Sequence, residues 1–183
     1  MNRSILLLSS VAVLLLIKLT FTLGDLSRKS DQIDQRLSRL EGIIDTGHRV
    51  NYTKQDVECL ARNIYYEAGV EDDVGKYAVG HVTVNRVRTG YWGKSICGVV
   101  YSPAQFSWTL LKRLPNPDPN LYQHCRAIAQ LVLSGEGVAG LERSLFYHAD
   151  YIRTPFWVDV SQRTKKIGQH IFYNRAKGSS LEI

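Results

Sequence analysis

Glu67 is the residue of this sequence best placed to move a proton. It follows Tyr65 and Tyr66 at the end of a segment in which Val57, Leu60, Ala61, Ile64, Tyr65 and Ala68 recur at helical spacing. At about 100° per residue, Glu67 lies roughly 80° from the centre of that apolar stripe, beside Leu60 and Ile64. A carboxyl at such an edge is partly desolvated, which raises its pKa and suits it to donate a proton near neutral pH. Taken alone, the position describes an ordinary boundary glutamate equally well. The next carboxylates, Glu71, Asp72 and Asp73, fall in the following turn and are expected to face solvent or cap a helix. No second acid is marked as clearly as Glu67.

Other chemistries find less support. A cysteine nucleophile needs an electropositive, partly exposed site with a nearby histidine, and Cys59, Cys97 and Cys125 sit in no such context. They form no CxxC pair, so neither a zinc ribbon nor a thioredoxin-type site is indicated. Three disulfide pairings stay open beside fully reduced core cysteines. His81, His124, His148 and His170 show no ligand spacing such as HExxH, and no metal or other cofactor is expected. The formal charge of +6, spread along the chain, suits an anionic partner such as a cell wall, a membrane surface or nucleic acid.

The elements that must position Glu67 read as helices. Thr53-Lys54-Gln55-Asp56 has the form of a capping box, and Gly69 is a plausible stop. A second helix is expected from Asp73 to about Arg88, before Gly90, with Val74, Tyr77, Ala78, His81, Val82 and Asn85 inward. His81 suits the core. Asn85 and the adjacent Arg86 could instead meet a polar ligand. The run Val82-Thr83-Val84 also fits a strand. A scaffold helix is expected from Leu121 to about Leu133, closed by Gly135, with Leu121, Cys125, Ile128, Ala129 and Val132 inward.

The N-terminal segment sets the compartment. Ile5 to Leu23 are nineteen positions with one charge, Lys18; as a helix they span roughly 28 Å, near the hydrocarbon thickness of a bilayer. Arg3 precedes the run and no A-x-A site follows it, only Thr22-Leu23-Gly24 as a passable substitute. An uncleaved signal-anchor over residues 1–24 is therefore expected ahead of its rival, a cleaved signal peptide, and either exports the rest of the chain across the cytoplasmic membrane. Export conflicts with nucleic-acid binding. Leu26, Ile33, Leu37, Leu40 and Ile44 then form a seam little more than two heptads long. Residues 25–47 are therefore read as a stalk, with a homodimer through 26–44 and a solvated helical linker equally compatible. The break at Asp45-Thr46-Gly47-His48 places the start of the main domain at residue 48.

The stretch from Cys59 to Trp108 resembles the SleB/CwlJ-like cell wall hydrolases, known from spore cortex-lytic enzymes. It carries the aromatic-rich helix ending in Glu67-Ala68, the V-x-NRV segment from Val82 to Val87, an ICxVVY segment from Ile96 to Tyr101, and Gln105-Phe106-Ser107. The run from Phe146 to Tyr173 is similar to the family's closing motif, ending in IG-x-H-x-FY. The likeness covers about residues 56–173. Two departures stand out. Many relatives have Glu-Ala-Arg-Gly where this chain has Glu67-Ala68-Gly69-Val70, and some have a cysteine where this chain has Ala104, which puts in doubt any disulfide carried over from them.

The resemblance implies a lysozyme-like α+β domain, mainly helical with a small β element, that cleaves peptidoglycan between N-acetylmuramic acid and N-acetylglucosamine. Glu67 would be the general acid. With one marked carboxylate, the lytic transglycosylase route is favoured over hydrolysis, since there the muramic C6 hydroxyl attacks within its own sugar and the spent acid can serve as base. Sugar-binding roles fall to Tyr66, Asn85, Gln105, Ser107, Tyr147, His148, Tyr151, Trp157 and His170, while Phe106 and Tyr173 suit the core, as Trp157 also could. The rival readings are a peptidoglycan amidase or peptidase and a non-catalytic wall-binding module. A bacterial remodelling enzyme and a phage lysis enzyme share all of these features.

Overall fold

The computed structural model describes residues 3–40, 43–45, 47 and 50–178. The chain divides into two compact units, Met1–Arg39 and Leu40–Ile183. The first is a single helix, α1 (Arg3–Leu40), which runs without interruption through Gly24. Among the described residues no helix is long and apolar enough to cross a membrane. The side chains of residues 5–12, 14 and 15 lie outside the described ones, so the expected span over Ile5–Leu23 gains no support from the rest. Leu26, Ile33 and Leu37 of the expected seam are exposed on α1. Ile44 does not continue that seam. It belongs to strand β1 (Ile43–Asp45), which pairs antiparallel with β2 (Glu136–Val138), because a backbone partner in the second unit outweighs a weak heptad position. Thr46 and His48, at the expected boundary, lie outside the described residues.

In the second unit, α2 (Lys54–Ala68), α3 (Asp73–Thr89) and α5 (Pro119–Leu133) pack on one another. Helix α2 starts at the expected capping box: Thr53 accepts from the Asp56 backbone N–H, and the Asp56 carboxylate accepts from the Thr53 N–H. Val57, Leu60, Ala61, Ile64 and Ala68 are buried as the spacing requires. Gly69 ends α2, but in a right-handed conformation. Its need for glycine is steric, since a Cβ there would lie 2.5 Å from the Tyr65 carbonyl oxygen.

Helix α3 is capped by Asp72, which accepts from Gly75 N–H, and ends on left-handed Gly90. Every residue from Gly75 to Arg86 is buried. That burial on all sides explains why Val82-Thr83-Val84 could be mistaken for a strand: a central helix has no polar face to impose a period. Gly80 lets α3 approach both neighbours, with Ile64 and Val132 methyl groups 3.2 Å from where its Cβ would be. Helix α5 begins at Pro119 behind the Asp118 cap, two residues before the expected start. It buries Cys125, Ile128, Ala129 and Val132 of the expected stripe, while Leu121, in its first turn, is only half-buried.

A short helix α4 (Ile96–Val100) is tied to α2 by a Cys59–Cys97 disulfide and by Cys97 N–H donating to Asp56. Burial opposes the Asp56 charge, but the Thr53 and Cys97 donors outweigh it and hold the carboxyl below its usual range. Cys125 is free and buried. The expected small β element is two sheets: the β1–β2 pair, and a three-stranded antiparallel sheet in the order β3 (Phe146–Ala149), β5 (His170–Tyr173), β4 (Arg163–Ile167). Gly168, at φ +53°, makes the β4–β5 turn.

Candidate active site

Glu67 sits on the last turn of α2 and projects from the edge of its buried stripe into a cleft of about 530 Å³. One wall is the segment after α4, including Gln105, Phe106, Ser107 and Leu110; the other comes from β3 and the loop that follows it. Glu67 is the only carboxylate among the lining residues. The Tyr147 hydroxyl, from β3, donates to Glu67 Oε2 at 3.1 Å. Burial raises the Glu67 pKa, opposed by that hydrogen bond and by the charge of Arg86. Burial, and then the Glu67 charge, push the Tyr147 hydroxyl well above its ordinary value, so tyrosine remains the donor of the pair.

Arg86, from α3, supplies the cationic pole of the cleft. Its Nε donates to the Leu145 carbonyl at 2.8 Å and its Nη1 to Gln105 at 3.4 Å. The guanidinium lies 5.1 Å from the Trp92 ring centre, 5.3 Å from Phe106 and 5.9 Å from Phe146. Burial lowers its pKa, yet a guanidinium keeps its proton in any protein environment. Of the neighbouring pair Asn85 and Arg86, only Arg86 lines the cleft. Asn85 is fully buried away from the cleft, its amide donating to the Leu141 and Ser144 carbonyls at 2.9 and 3.0 Å. One residue along a helix turns the side chain by about 100°, enough to send one of the pair to the core and the other to the cleft.

The remaining expected residues converge on the cleft. Tyr66 stacks on Trp108 at 5.0 Å and donates to the Pro115 carbonyl. Trp108 is anchored in turn by its indole N–H to Asn63, whose amide donates to Thr83. This buried relay fixes the Gln105–Ser107 wall against α2 and α3. Trp157 packs near Phe146, His148 and Tyr173 while still lining the cleft, and Tyr151 is an exposed ring at its mouth. His148 has both ring nitrogens engaged, by the Ala149 carbonyl at 2.8 Å and the Tyr173 hydroxyl at 3.1 Å. His170 is nearly buried, edge-on to Tyr147 with ring centres 5.1 Å apart.

Glu71 departs from expectation. Asp72 and Asp73 behave as foreseen, one capping α3 and the other paired with His124 at 2.7 Å. The Glu71 side chain, only 7% exposed, turns inward instead, accepting from Gln169 N–H at 3.1 Å and facing His170 Nδ1 at 3.6 Å. Its partners lie about a hundred residues further along the chain, so no local pattern could have shown them. His81 takes the expected core role, accepting from Val138 N–H.

The cell wall hydrolase family matches residues 70–173, more than half of the chain, starting just past Glu67. Spore cortex-lytic enzymes are similar over two thirds of the chain: that of Halalkalibacterium halodurans is 27% identical over 124 residues and that of Bacillus subtilis 28% over 123. These stretches cover 67% and 66% of this chain but only 36% and 38% of those relatives, so the chain spans little more than a third of their length. Among solved structures, the catalytic domain of the Bacillus cereus SleB protein superposes with a TM-score of 0.55 at 25% identity, covering 69% of this chain and 95% of that domain. The catalytic domain of the germination-specific lytic transglycosylase SleB from Bacillus anthracis has the same fold, with a TM-score of 0.54 at 23% identity over 67% of this chain and 97% of that one. With its mixed helix and sheet fold shared with the SleB catalytic domain and its motifs in family order, the chain belongs to the cell wall hydrolase family.

Proposed function

We propose that this chain cleaves the glycan strand of peptidoglycan between N-acetylmuramic acid and N-acetylglucosamine as a lytic transglycosylase, with Glu67 as its acid. The observation that carries the reading is the cleft's single carboxylate, partly desolvated and hydrogen-bonded by a tyrosine. Glu67 protonates the glycosidic oxygen as the C1–O bond breaks, the muramic C6 hydroxyl bonds to C1, and its proton passes to a base, for which the spent Glu67 carboxylate is available. Arg86 offsets the charge that Glu67 acquires. A hydrolytic route would need a second group to activate water.

The peptide-cutting alternative lacks a cysteine nucleophile, since Cys59 and Cys97 are bonded and burial pushes the Cys125 thiol up to about 11. The disulfide also suits an oxidising, exported location. We read residues 5–23 as the membrane anchor on the strength of their composition, nineteen positions with one charge.

The test is mass spectrometry of purified peptidoglycan digested by the full-length protein and by Glu67→Gln. Anhydro-ended muropeptides from the native protein, reduced about 10²–10⁴-fold in the variant, are expected. Reducing-end muropeptides would overturn the transglycosylase route, and cleaved stem peptides or equal activity of the two proteins would overturn the whole reading.

A further inference from the structure

We propose that Glu71 and His170 form a second proton-handling pair in the cleft wall, in which His170 accepts the proton of the attacking hydroxyl and Glu71 orients it. The inference rests on the reading of Glu67 as the acid and gives the base half of the reaction to another residue.

The geometry is built at some cost. Glu71 lies one turn beyond Glu67, where α2 gives way to α3, and reaches the β4–β5 turn. Two glycines make room for it. A Cβ on Gly75 would lie 2.7 Å from the Glu71 Cβ, and one on Gly168 would lie 1.8 Å from Glu71 Oε2. No real Cβ is accommodated at either distance, so the sequence keeps both positions bare around one carboxylate. The Lys76 ammonium donates to the Glu71 backbone carbonyl, and Gln169 N–H donates to Glu71 Oε1, which pins the residue immediately before His170.

His170 lines the cleft while its Nδ1 is buried, has no hydrogen-bond partner and faces the Glu71 carboxylate at 3.6 Å. A short closure makes that contact an Nδ1–H to carboxylate hydrogen bond. The proton then sits on Nδ1 and the lone pair on Nε2, at the ring edge opposite Glu71. His148, the other histidine of the cleft, is excluded from this role because both of its nitrogens are occupied. Tyr147 adjoins both groups, its ring edge-on to His170 and its hydroxyl bound to Glu67, and both line the same cleft.

In the step, Nε2 takes the hydroxyl proton as that oxygen bonds to C1. The C1–O bond electrons go to the leaving oxygen, which takes the Glu67 proton. Imidazolium and Glu67 carboxylate result, balanced by Glu71 and Arg86, and water returns the proton from His170 to Glu67. The titratable groups facing His170 are Glu71 from the α2–α3 turn, Asp150 beyond β3, itself paired with Lys166 of β4, and His148 of β3; Glu67 is bound by Tyr147, the ring beside it. Burial lowers the His170 pKa, and Glu71 followed by Asp150 acts against that, so the ring is neutral and basic near neutral pH.

The test compares pH–rate profiles of muropeptide release by the full-length protein, His170→Gln, Glu71→Gln and Glu67→Gln. His170→Gln should lower kcat about 10²-fold and remove the acid limb. Glu71→Gln keeps an acceptor for Gln169 but loses the charge, so it should lower kcat about tenfold, leave KM unchanged and move the acid limb to lower pH, which a purely structural role would not do. An unchanged acid limb in His170→Gln overturns the proposal. Should a variant fail to fold, histidine ¹⁵N shifts of the native protein in detergent decide: Nδ1–H at His170 supports the pair and Nε2–H overturns it. Retained activity in Glu67→Gln would sink the acid reading instead, a separate outcome that the tautomer measurement does not share.

Discussion

At the scale of single residues, the site is a carboxylic acid held between opposing influences. Burial favours its neutral form, while Tyr147 and Arg86 favour the charged one. Removing the tyrosine hydroxyl in Tyr147→Phe should raise the Glu67 pKa further, so the alkaline limb of the pH–rate profile moves to higher pH, with kcat reduced about tenfold by loss of the stabilised carboxylate. The same balance has a stability signature. A carboxyl whose folded pKa is raised stabilises the fold fully below its unfolded pKa and loses that contribution as pH rises through the folded value. Glu67→Gln, which stays neutral, should therefore melt above the native protein at pH 7, with the gap narrowing toward pH 4; a gap that widens in acid would refute the desolvation argument. Arg86 was legible as a residue type but not as a direction, because only the packing of α3 decides which neighbour meets the cleft.

At the scale of elements, α2 carries most of what could be foreseen. Its capping box, buried stripe and edge carboxylate all follow from the capping residues and the helical period of about 3.6 that local physics enforces along its fifteen residues. Its link to α4 was not foreseeable, since three cysteines allow three pairings and the choice depends on a Cα–Cα distance of 5.3 Å in the folded chain. Closing a loop of 38 residues restricts the unfolded ensemble by about 4 kcal/mol on chain-entropy grounds, and natural bridges deliver about 2–4. Replacing Cys59 and Cys97 together by serine should lower stability by about that amount in denaturant titration, with glycan cleavage retained at temperatures where the variant is folded, because neither sulfur lines the cleft. Glu71 shows the opposite limit of legibility. A sequence window sees an acidic turn, whereas the fold brings Gly168 and His170 to it from the far end of the chain.

At the scale of the whole molecule, one helical unit precedes one mixed helix and sheet unit. The proposed anchor predicts that the full-length protein stays in the membrane fraction through high salt and alkaline carbonate, and that a chain beginning at residue 25 does not. Release of the full-length protein by salt alone would leave charge attraction, from a chain of formal charge +6, as the sole attachment. The expected boundary at residue 48 and the compact unit's start at Leu40 differ because β1 is three residues long, too short to read without knowing that β2 waits to pair with it.

The sequence by itself determined the main helices, most of their buried stripes and the family, because capping, hydrophobic period and motif order are local properties of a chain. Only the tertiary structure decided the Cys59–Cys97 pairing, the placing of Arg86 rather than Asn85 on the cleft wall, and the meeting of Glu71 with His170. Each of these depends on distances between residues far apart in sequence, and such distances are fixed by how the helices and the sheet pack, which no local period encodes.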